Sequence, residues 1–448
     1  MLKHIELLSK EFLEITKDKP IRIISHYDTD GITSAAILAR AFKRLDKKFS
    51  IRIVKSLDKE IIDKELLKQG KEVLIFSDLG SGSLDYFKDI KYPIFIFDHH
   101  EIDSEKLHDK IKIINPHLFN ISSDNCTGAG TCYFFAKALS PDNADLSSLA
   151  LIGMIGDRHE KEISKVSQQI IEDTKDLTIK KGIMIYPATR PLRRALEYST
   201  SPYIPGITGN GAGVLELLRE TGIQSEKSLL DLNEQEISKL VTAIIVRCAK
   251  SNAKTDIVGN LYILKFFNRK EDVRELSVLI NACSRLGYSD TALAFCMENE
   301  KARIRAQDIY TEYKQELISG LKVIERIDKI QGNGFVILNA KDEIKDVIVG
   351  TVCSMLSSSM NYDEGTVLIG MAYNKDKIKV SARIAGHDGR NLKEVLEKTV
   401  IAFKQKYPES VAEFGGHHFA AGCVVDKVME EEFISFLKTS LEIEVVKI

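Results

Sequence analysis

The segment ISHYDTDG, at residues 24–31, places a histidine and two aspartates at alternate positions directly after an apolar run. These residues are His26, Asp28 and Asp30. In extended backbone, residues two apart point to the same side, so three ligand-type side chains converge at the end of one predicted strand. Two carboxylates held this close repel each other unless a cation lies between them. The spacing therefore indicates a cation site as one interpretation.

Three other interpretations of this segment have to be weighed. A calcium-binding loop that starts at His26 is excluded, because its twelfth position needs a bidentate glutamate and the chain has Ile37 there. A haloacid-dehalogenase-type phosphatase would use Asp28 and Asp30 as nucleophile and acid, but it leaves His26 and the later motifs unexplained. An acidic turn is common for an isolated DxDG sequence, and for this segment alone it is the preferred interpretation.

Acidic residues and histidines follow three further apolar runs. Asp78 in FSDLGSG ends a strand-like run, although a lone aspartate there is usually a helix N-cap. Asp98, His99 and His100 in IFIFDHHE end another, and buried groups of this kind are costly unless they are paired or bind a metal. Asp157 in LALIGMIGDR ends an apolar helix, where the helix dipole disfavours negative charge, although a solvated position past the helix would also explain it.

Together these positions supply oxygen and imidazole ligands without a thiolate. Such a set suits Mn²⁺ or Mg²⁺ better than structural zinc. Six ligands exceed what one open catalytic ion requires, so the set favours two ions about 3.5–4 Å apart that share a carboxylate, an arrangement suited to phosphodiester hydrolysis. The predicted ligands are His26, Asp28, Asp30, Asp78, His99 and Asp157.

A second group of candidate residues lies near the C-terminus, in the segment EFGGHHFAAG. Its glycines allow backbone amides to come close to a ligand, and its two histidines, with an arginine from the preceding strand-like segment, would form a surface that binds phosphate. A glycine turn before a core strand is the alternative, but glycines on both sides of the histidine pair favour a functional role. The candidates are Arg383, Gly415, Gly416, His417 and His418.

The elements that would position the first group alternate between strand and helix. Short β-branched runs are typical of buried parallel strands, and helical stretches separate them, which predicts an α/β fold with an N-terminal doubly wound parallel sheet. Ligands bind such sheets at the carboxyl ends of the strands. TGAGT at 127–131 resembles a phosphate-binding loop but lacks the Walker lysine, so we predict a helix N-terminus there. The predicted strands cover residues 21–25, 51–55, 73–77, 94–97 and 111–115.

We predict three domains along the chain. The N-terminal catalytic domain covers residues 1–185, and a mainly helical middle region with a connecting helix covers residues 186–330. In the connecting helix, the apolar residues from Tyr310 to Ile324 recur at helical spacing. A C-terminal α+β domain covers residues 331–448, with a hairpin at Asn374–Asp376.

The composition limits the kind of protein further. The chain has 448 residues, of which 44% are hydrophobic, so it is a globular protein of several domains. Lys and Arg total 63 and Asp and Glu 65, so the surface as a whole is not basic enough to bind nucleic acid over its full extent. A local basic groove remains compatible with this balance. Seven cysteines without a CxxC pair are typical of reduced thiols in a cytoplasm. We expect neither a signal peptide nor a membrane span, because no apolar run approaches about 18 residues.

The motifs, taken in order, resemble those of the DHH phosphoesterase superfamily. HYDTDG is similar to its first motif, Asp78 to the second, DHH at 98–100 to the third and Asp157 to the fourth. GGHHFAAG resembles the glycine–histidine motif of the DHH-associated domain. The resemblance covers nearly the whole chain and is nearest to the archaeal RecJ-like exonucleases, including the GINS-associated nucleases, which RELSVLINACSRLG at 274–287 also resembles.

The resemblance implies a fold and a mechanism. A DHH domain would hold two Mn²⁺ ions, or Mg²⁺ in their place, through the six predicted ligands, with Asp78 as the bridge. His100 would contact the scissile phosphate, Asp98 would orient a neighbouring histidine, and the C-terminal DHH-associated domain would close over the strand ends. The implied activity is a single-strand-specific exonuclease that releases mononucleotides from DNA or RNA in repair or replication.

Two other functions are compatible with the same motifs. A short-oligonucleotide ribonuclease or nucleotide phosphatase of the same superfamily would fit the small C-terminal unit and the near-zero net charge. A replication scaffold that binds the GINS complex would be similar to the eukaryotic helicase component that keeps this fold without its metal ligands. The intact ligand positions argue against scaffolding as the sole role, although binding to GINS could accompany catalysis.

Overall fold

The protein is described by a computed structural model that divides into two compact units. The first unit contains Met1–Lys180 and Asn260–Thr311, and the second contains Lys181–Gly259 and Glu312–Ile448. The three domains with limits at residues 185 and 330 stay a prediction. The structure describes residues 1–121, 125–160, 163–199, 202–248, 257–358, 362–386, 389–410 and 412–442, without the side chains of Glu413 and His417.

The first unit is built around a five-stranded sheet. Its strands are β1 (Ile21–His26), β2 (Phe49–Val54), β3 (Val73–Ser77), β4 (Ile94–Phe97) and β5 (Ile111–Ile114). They lie in the order β2-β1-β3-β4-β5, and every neighbouring pair is parallel. The predicted α/β fold with an N-terminal doubly wound parallel sheet is therefore confirmed. In this strand order the connections reverse direction between β1 and β3, and such a switch point is where ligands bind.

Among the described residues up to position 160, five α-helices accompany this sheet: α1 (Leu2–Ile15), α2 (Thr29–Arg44), α3 (Lys59–Leu66), α4 (Gly128–Leu139) and α5 (Ser147–Gly156). Every residue of β3 and β4 is buried, as parallel strands covered on both faces must be. Asp28 and Thr127 cap α2 and α4, because their side chains accept hydrogen bonds from the amides of Gly31 and Gly130. The helix N-terminus predicted in TGAGT is confirmed.

The middle of the chain is mostly helical, and α10 (Val273–Arg285) packs against α5 while α11 (Ser289–Cys296) packs against α2. The antiparallel hairpin of β7 (Val258–Phe266) with β8 (Arg269–Asp272) was not predicted, because a short apolar run such as LYILKF also fits a buried helix. The elements are α6 (Lys165–Asp173), β6 (Thr178–Ile183), α7 (Leu192–Glu197), α8 (Gly211–Thr221), α9 (Glu234–Cys248), β7 (Val258–Phe266), β8 (Arg269–Asp272), α10 (Val273–Arg285), α11 (Ser289–Cys296) and α12 (Glu300–Arg326).

The C-terminal part of the second unit is a six-stranded mixed sheet with three helices. Its elements are β9 (Lys329–Gly332), β10 (Phe335–Asn339), α13 (Asp346–Ser357), β11 (Val367–Asn374), β12 (Lys377–Ile384), α14 (Leu392–Lys406), β13 (Ala412–His417), β14 (Ala420–Asp426) and α15 (Glu430–Leu441). The strand order is β13-β14-β12-β11-β10-β9. Asn374 pairs with Lys377, which confirms the predicted hairpin. The C-terminal α+β fold is therefore confirmed as well.

Three further expectations from the sequence can be compared with the structure. The connecting helix is present as α12, and its predicted apolar stripe is buried from Tyr310 to Ile324. All seven cysteines are buried and free of disulfides. Within the described ranges, no helix combines the length and the apolarity that crossing a bilayer demands.

Candidate metal centre

The predicted ligands of the first unit meet at the carboxyl ends of its central strands. His26 is the last residue of β1, Asp78 follows β3, and Asp98 follows β4. Because β1, β3 and β4 are adjacent and parallel, side chains more than 70 positions apart in the chain are placed at one edge of the sheet. Asp30 in the first turn of α2 and Asp157 directly after α5 complete the group. This edge contains the switch point between β1 and β3.

His26 and Asp28 form one side of the site. Nδ1 of His26 lies 3.0 Å from Oδ2 of Asp28 and 3.4 Å from Oδ2 of Asp78. Burial disfavours a charged imidazole, but the two carboxylates outweigh burial and raise the pKa of His26 well above its ordinary value. Burial would likewise raise the pKa of Asp28, but the charge of His26 outweighs it and holds that pKa well below its usual range. Each of these two side chains thus favours the charged form of the other.

His99 forms the other side of the site. Its Nε2 lies 3.3 Å from Oδ2 of Asp157, 3.4 Å from Oδ1 of Asp78 and 3.9 Å from Oδ2 of Asp30. Burial disfavours the imidazolium, but the nearby carboxylates of Asp157 and Asp78 outweigh burial and raise the pKa of His99 well above its ordinary value. One buried imidazole nitrogen thus faces three carboxylates that come from separate elements of the fold.

Asp78 lies between the two histidines and is almost completely buried. Its Oδ2 faces His26 and its Oδ1 faces His99, yet neither oxygen has a hydrogen-bond partner within the described part of the chain. A buried carboxylate without hydrogen bonds is costly unless a cation lies beside it. The surrounding carboxylates and imidazoles are ligands that Mn²⁺ and Mg²⁺ accept. The residues at this edge of the sheet therefore fit a divalent metal centre.

Three groups of ligand-type atoms, each within 4.8 Å, stand out among the residues that the structure describes. The groups are His26 with Asp28 and Asp78, His99 with Asp157 and His159, and Asp78 with His99 and His100. Asp78 and His99 each belong to two groups, which suits neighbouring ions better than a single one. His159 was not predicted, because it lies in no motif and reaches the site only through the turn that follows α5.

Asp30 is held differently from the other predicted ligands. Its Oδ2 accepts a 2.6 Å hydrogen bond from the amide of Gly128, and its Oδ1 accepts a 3.0 Å bond from the amide of Ala129. Burial and the nearby charges of Asp78 and Asp157 raise the pKa of Asp30 well above its ordinary value. The two amides at the N-terminus of α4 nevertheless hold both oxygens of Asp30 in place within this cluster of acidic groups.

Two glycines make the close approach to Asp30 possible. A Cβ atom on Gly128 would lie 2.6 Å from Oδ1 of Asp78, and one on Gly153 would lie 2.5 Å from Oδ1 of Asp30. Neither position could carry a larger residue without displacing a carboxylate. TGAGT contains the predicted helix N-terminus, but its contact with the metal site was not predicted. Its glycine pattern was the signal that could have pointed to a bound carboxylate.

The pair Asp98 and His100 lies beside the metal ligands. Oδ1 of Asp98 lies 2.7 Å from Nδ1 of His100 and also accepts a hydrogen bond from the amide of His99, while its Oδ2 accepts one from the amide of Ser81. Burial would raise the pKa of Asp98, but the charge of His100 outweighs it and holds the pKa well below its usual range. Asn115 donates to the hydroxyl of Ser81 and to the backbone carbonyl of His100. The orientation of His100 is thus fixed by a buried network.

The C-terminal candidates belong to the second unit. Arg383 on β12 pairs with Ala420 on β14, and Ala420 pairs with His417 on β13, so the three backbones form one row across the sheet. Nε of Arg383 donates a 2.7 Å hydrogen bond to the hydroxyl of Ser354. Gly416 has a φ of 133°, and a Cβ atom there would lie 2.5 Å from the carbonyl oxygen of Ala420, so only glycine fits.

The remaining members of this group lie around the turn between β13 and β14. Gly415 has open space where a side chain would be, and His418 lies in the turn itself. The side chain of His417 lies outside the described part of the structure. Sheet register thus gathers the five residues at one end of the sheet, and their role in binding phosphate stays a prediction.

Comparison with known families matches three successive parts of the chain. Residues 20–156 match the DHH family, N-terminal domain, residues 186–262 the DHH-CID domain and residues 322–443 the DHHA1 domain. An uncharacterized protein of Methanocaldococcus jannaschii is 30% identical over 446 residues, covering 97% of this chain and 96% of that relative.

Three solved structures share the fold over 98% of this chain. RecJ from Thermus thermophilus in complex with Mn²⁺ has a TM-score of 0.59 at 17% identity, and the chain spans only 54% of its length. An exonuclease RecJ bound to manganese has a TM-score of 0.58 at 16% identity, with 93% of its chain covered. CDC45 from Entamoeba histolytica has a TM-score of 0.69 at 12% identity, with 99% covered. By its family matches the chain belongs to the DHH superfamily, and its fold is similar to that of RecJ.

Proposed function

We propose that this protein is a metal-dependent phosphodiesterase, and specifically a RecJ-like exonuclease that releases mononucleotides from single-stranded DNA or RNA. The observation that carries the proposal is Asp78, a buried carboxylate whose two oxygens face His26 and His99 without a hydrogen bond to any described residue. Such a carboxylate destabilises the fold unless it binds cations. The presence of this carboxylate at a ligand-binding edge of the sheet is therefore best explained if it binds metal ions.

The proposed roles follow from the contacts. His26, Asp28 and Asp78 would hold one ion, and Asp78, His99 and Asp157 a second, with Asp30 completing the negative charge of the site. When bound, two divalent ions activate water and neutralise the charge that develops on a phosphate. We assign no other chemistry to the ions. Mn²⁺ is the proposed cofactor, with Mg²⁺ as an alternative, because both accept this donor set.

His100 would bind the scissile phosphate. Burial alone would lower the pKa of His100, but the charge of Asp98 outweighs burial and raises it. This shift favours a protonated imidazole that can donate a hydrogen bond to an anionic substrate. Its Nδ1 contacts Asp98, and the proposal assigns its Nε2 to the substrate. Asp98 acts through His100 and is therefore a positioning residue.

The second unit would contribute phosphate binding. Arg383 supplies a permanent positive charge, and Gly415 and Gly416 supply backbone that a phosphate can approach closely. His417 and His418 are proposed to contact phosphate or sugar in the same place. One similar structure is described as an exonuclease RecJ bound to manganese, and this supports Mn²⁺ and exonucleolytic hydrolysis as the particular activity.

The proposal is tested with single-stranded DNA and RNA of several lengths, labelled at either end, in Mn²⁺ or Mg²⁺. We expect labelled mononucleotides from the wild type and a loss of about 100-fold or more in Asp78→Asn. Asp109→Asn, which removes an exposed carboxylate of the same unit, is the matched control and should keep full activity. Equal rates for wild type and Asp78→Asn would show that the site assignment is wrong. Activity confined to very short strands would identify a short-oligonucleotide hydrolase instead of a processive exonuclease.

A second candidate function is a replication scaffold. The observation that favours it is the similarity to CDC45, whose chain matches this one along almost the full length of both. A binding role would not depend on the metal ligands, so Asp78→Asn should keep any partner complex while it loses hydrolysis. The test is size-exclusion chromatography of wild type and variant with a purified GINS complex from the same organism. If neither forms a complex, the scaffold proposal fails and the nuclease proposal is unaffected.

A further inference from the structure

An aromatic residue stands in the turn that joins β13 and β14. His417 pairs with Ala420, so the turn consists of His418 and Phe419 alone. The carbonyl of His418 accepts a 2.8 Å hydrogen bond from the amide of Leu392, which fixes the turn to the start of α14. Across the sheet, Ala420 also pairs with Arg383. Phe419 therefore lies directly beside the row of residues that we assign to phosphate binding.

The exposure of this aromatic ring has no local structural cause. Phe419 is 50% exposed, whereas the phenylalanines of the same unit's core, such as Phe403 and Phe433, are fully buried. Short turns favour glycine, asparagine, aspartate, proline and serine, because those residues suit the backbone, and phenylalanine offers the turn nothing of this kind. The ring stands edge-on to the imidazole of His418, with the two centroids 4.5 Å apart and an interplanar angle of 62°. This contact orients one edge of the ring, and half of its surface stays open.

We infer that Phe419 is a stacking surface for a nucleobase of the bound single strand. The inference rests on the proposed function, since it requires that Arg383 and the neighbouring turn hold the strand's phosphates. Aromatic rings beside cationic residues are the usual means of binding single strands without sequence preference, because every base has a flat face. A phosphate held by Arg383 places the attached base within reach of the turn. Phe419 thus selects nucleic acid over other phosphate compounds.

If Phe419 stacks on a base, its substitution should weaken binding only of substrates that carry a nucleobase. Phe419→Ala should raise KM for oligonucleotides by about 10-fold or more, because one stacked base is lost. For an abasic oligonucleotide, which offers no ring to stack, the same substitution should leave KM unchanged. Phe419→Tyr should bind oligonucleotides as tightly as the wild type does, because it keeps the flat ring. Phe419→Leu should bind them as weakly as Phe419→Ala does, although it keeps an apolar surface.

Phe414 offers a matched control. It is 37% exposed and lies on β13 three residues before His417, a separation of about 10 Å along the strand. Its strand neighbour is Cys423, away from the row that contains Arg383. Phe414→Ala should therefore leave KM for oligonucleotides unchanged. An equal loss in Phe414→Ala and Phe419→Ala would show a general effect of surface apolarity and would overturn the assignment.

A binding measurement separates failure of this inference from failure of the proposed function. The chain contains no tryptophan, so Phe419→Trp introduces a single fluorescent reporter at the turn. We expect oligonucleotides of all four bases to quench its fluorescence in the presence of EDTA, where no hydrolysis occurs, while inorganic polyphosphate does not. The stacking assignment is wrong if the wild type cleaves oligonucleotides but two results are negative. These are that oligonucleotides do not quench the fluorescence of Phe419→Trp and that Phe419→Ala has the wild-type KM. If nothing is cleaved yet quenching occurs, the nuclease proposal fails and the stacking surface stands.

Discussion

The backbone amide of Gly128 donates a 2.6 Å hydrogen bond to Oδ2 of Asp30, 98 residues earlier in the chain. The N-terminus of α4 thus binds a carboxylate in the way that such helix ends bind phosphate. The aspartate is held at the centre of a cluster of like charges, where it would otherwise be repelled. The architecture of the site therefore depends on the close packing of Gly128 and Gly153 against its carboxylates as much as on the ligand side chains themselves.

Gly128→Ala should inactivate the protein without removing any ligand. The new Cβ would lie 2.6 Å from Oδ1 of Asp78 and 2.9 Å from Oδ2 of Asp30, so both carboxylates have to move. Displacements of this size reduce rates by about 100-fold. Steady-state kinetics on a labelled oligonucleotide checks the loss. Gly82→Ala is the control, because a Cβ there meets nothing within 4 Å, and a comparable loss in that variant would remove the steric explanation.

Mn²⁺ should stabilise the wild type against thermal unfolding, and Asp78→Asn should abolish the effect. An ion present at about 100 times its Kd raises the free energy of unfolding by about 2.7 kcal/mol. Differential scanning calorimetry with and without Mn²⁺ measures the effect in both proteins. A wild type that is insensitive to Mn²⁺ and Mg²⁺ would contradict the metal assignment.

Asp98→Asn should lower kcat by about 100-fold while KM and Mn²⁺ affinity change little. The substitution keeps the side-chain volume and the bond from the amide of Ser81, but it removes the negative charge that holds His100. Isothermal titration of Mn²⁺ and steady-state kinetics separate the two effects. Asp103→Asn, which changes a half-exposed carboxylate nearby, should behave as wild type. Loss of Mn²⁺ binding in Asp98→Asn would show that Asp98 serves the metal rather than His100.

Glu65 should make stability depend on pH in the acid range. Burial alone would raise its pKa, but hydrogen bonds from Arg22, Lys68 and Arg52 outweigh burial and lower the pKa to about 2. Since the folded pKa lies below the unfolded value of 4.5, the stabilisation is complete above pH 4.5 and is lost as the pH falls towards 2.

Glu65→Gln should therefore cost about 2 kcal/mol at neutral pH and progressively less below pH 4.5, as measured by urea unfolding across that range. Glu60→Gln is the control, because Glu60 forms an exposed pair with Lys64 on the same helix and such pairs contribute about 0.5 kcal/mol or less. A difference between wild type and Glu65→Gln that is constant with pH would contradict the ion-pair explanation.

The sequence predicted the first unit's sheet well because its signals are local. Runs such as VLIFS and IFIF are too short and too β-branched for helices, and the structure places β3 and β4 on those residues. The hairpin of β7 and β8 was not predicted, because its apolar run fits a buried strand and a buried helix equally well. The involvement of His159 was also missed, since no pattern around it distinguishes a ligand from a solvated turn residue.

By itself, the sequence determined which side chains could act and that they stand at strand ends, because residue type and periodicity are written along the chain. Only the tertiary structure decided that Asp78 faces His26 on one side and His99 on the other, and that α4 holds Asp30. Those relationships depend on strand order and on distances between residues far apart in sequence. Local patterns carry no information about such distances, because they arise only when parallel strands and helices pack together.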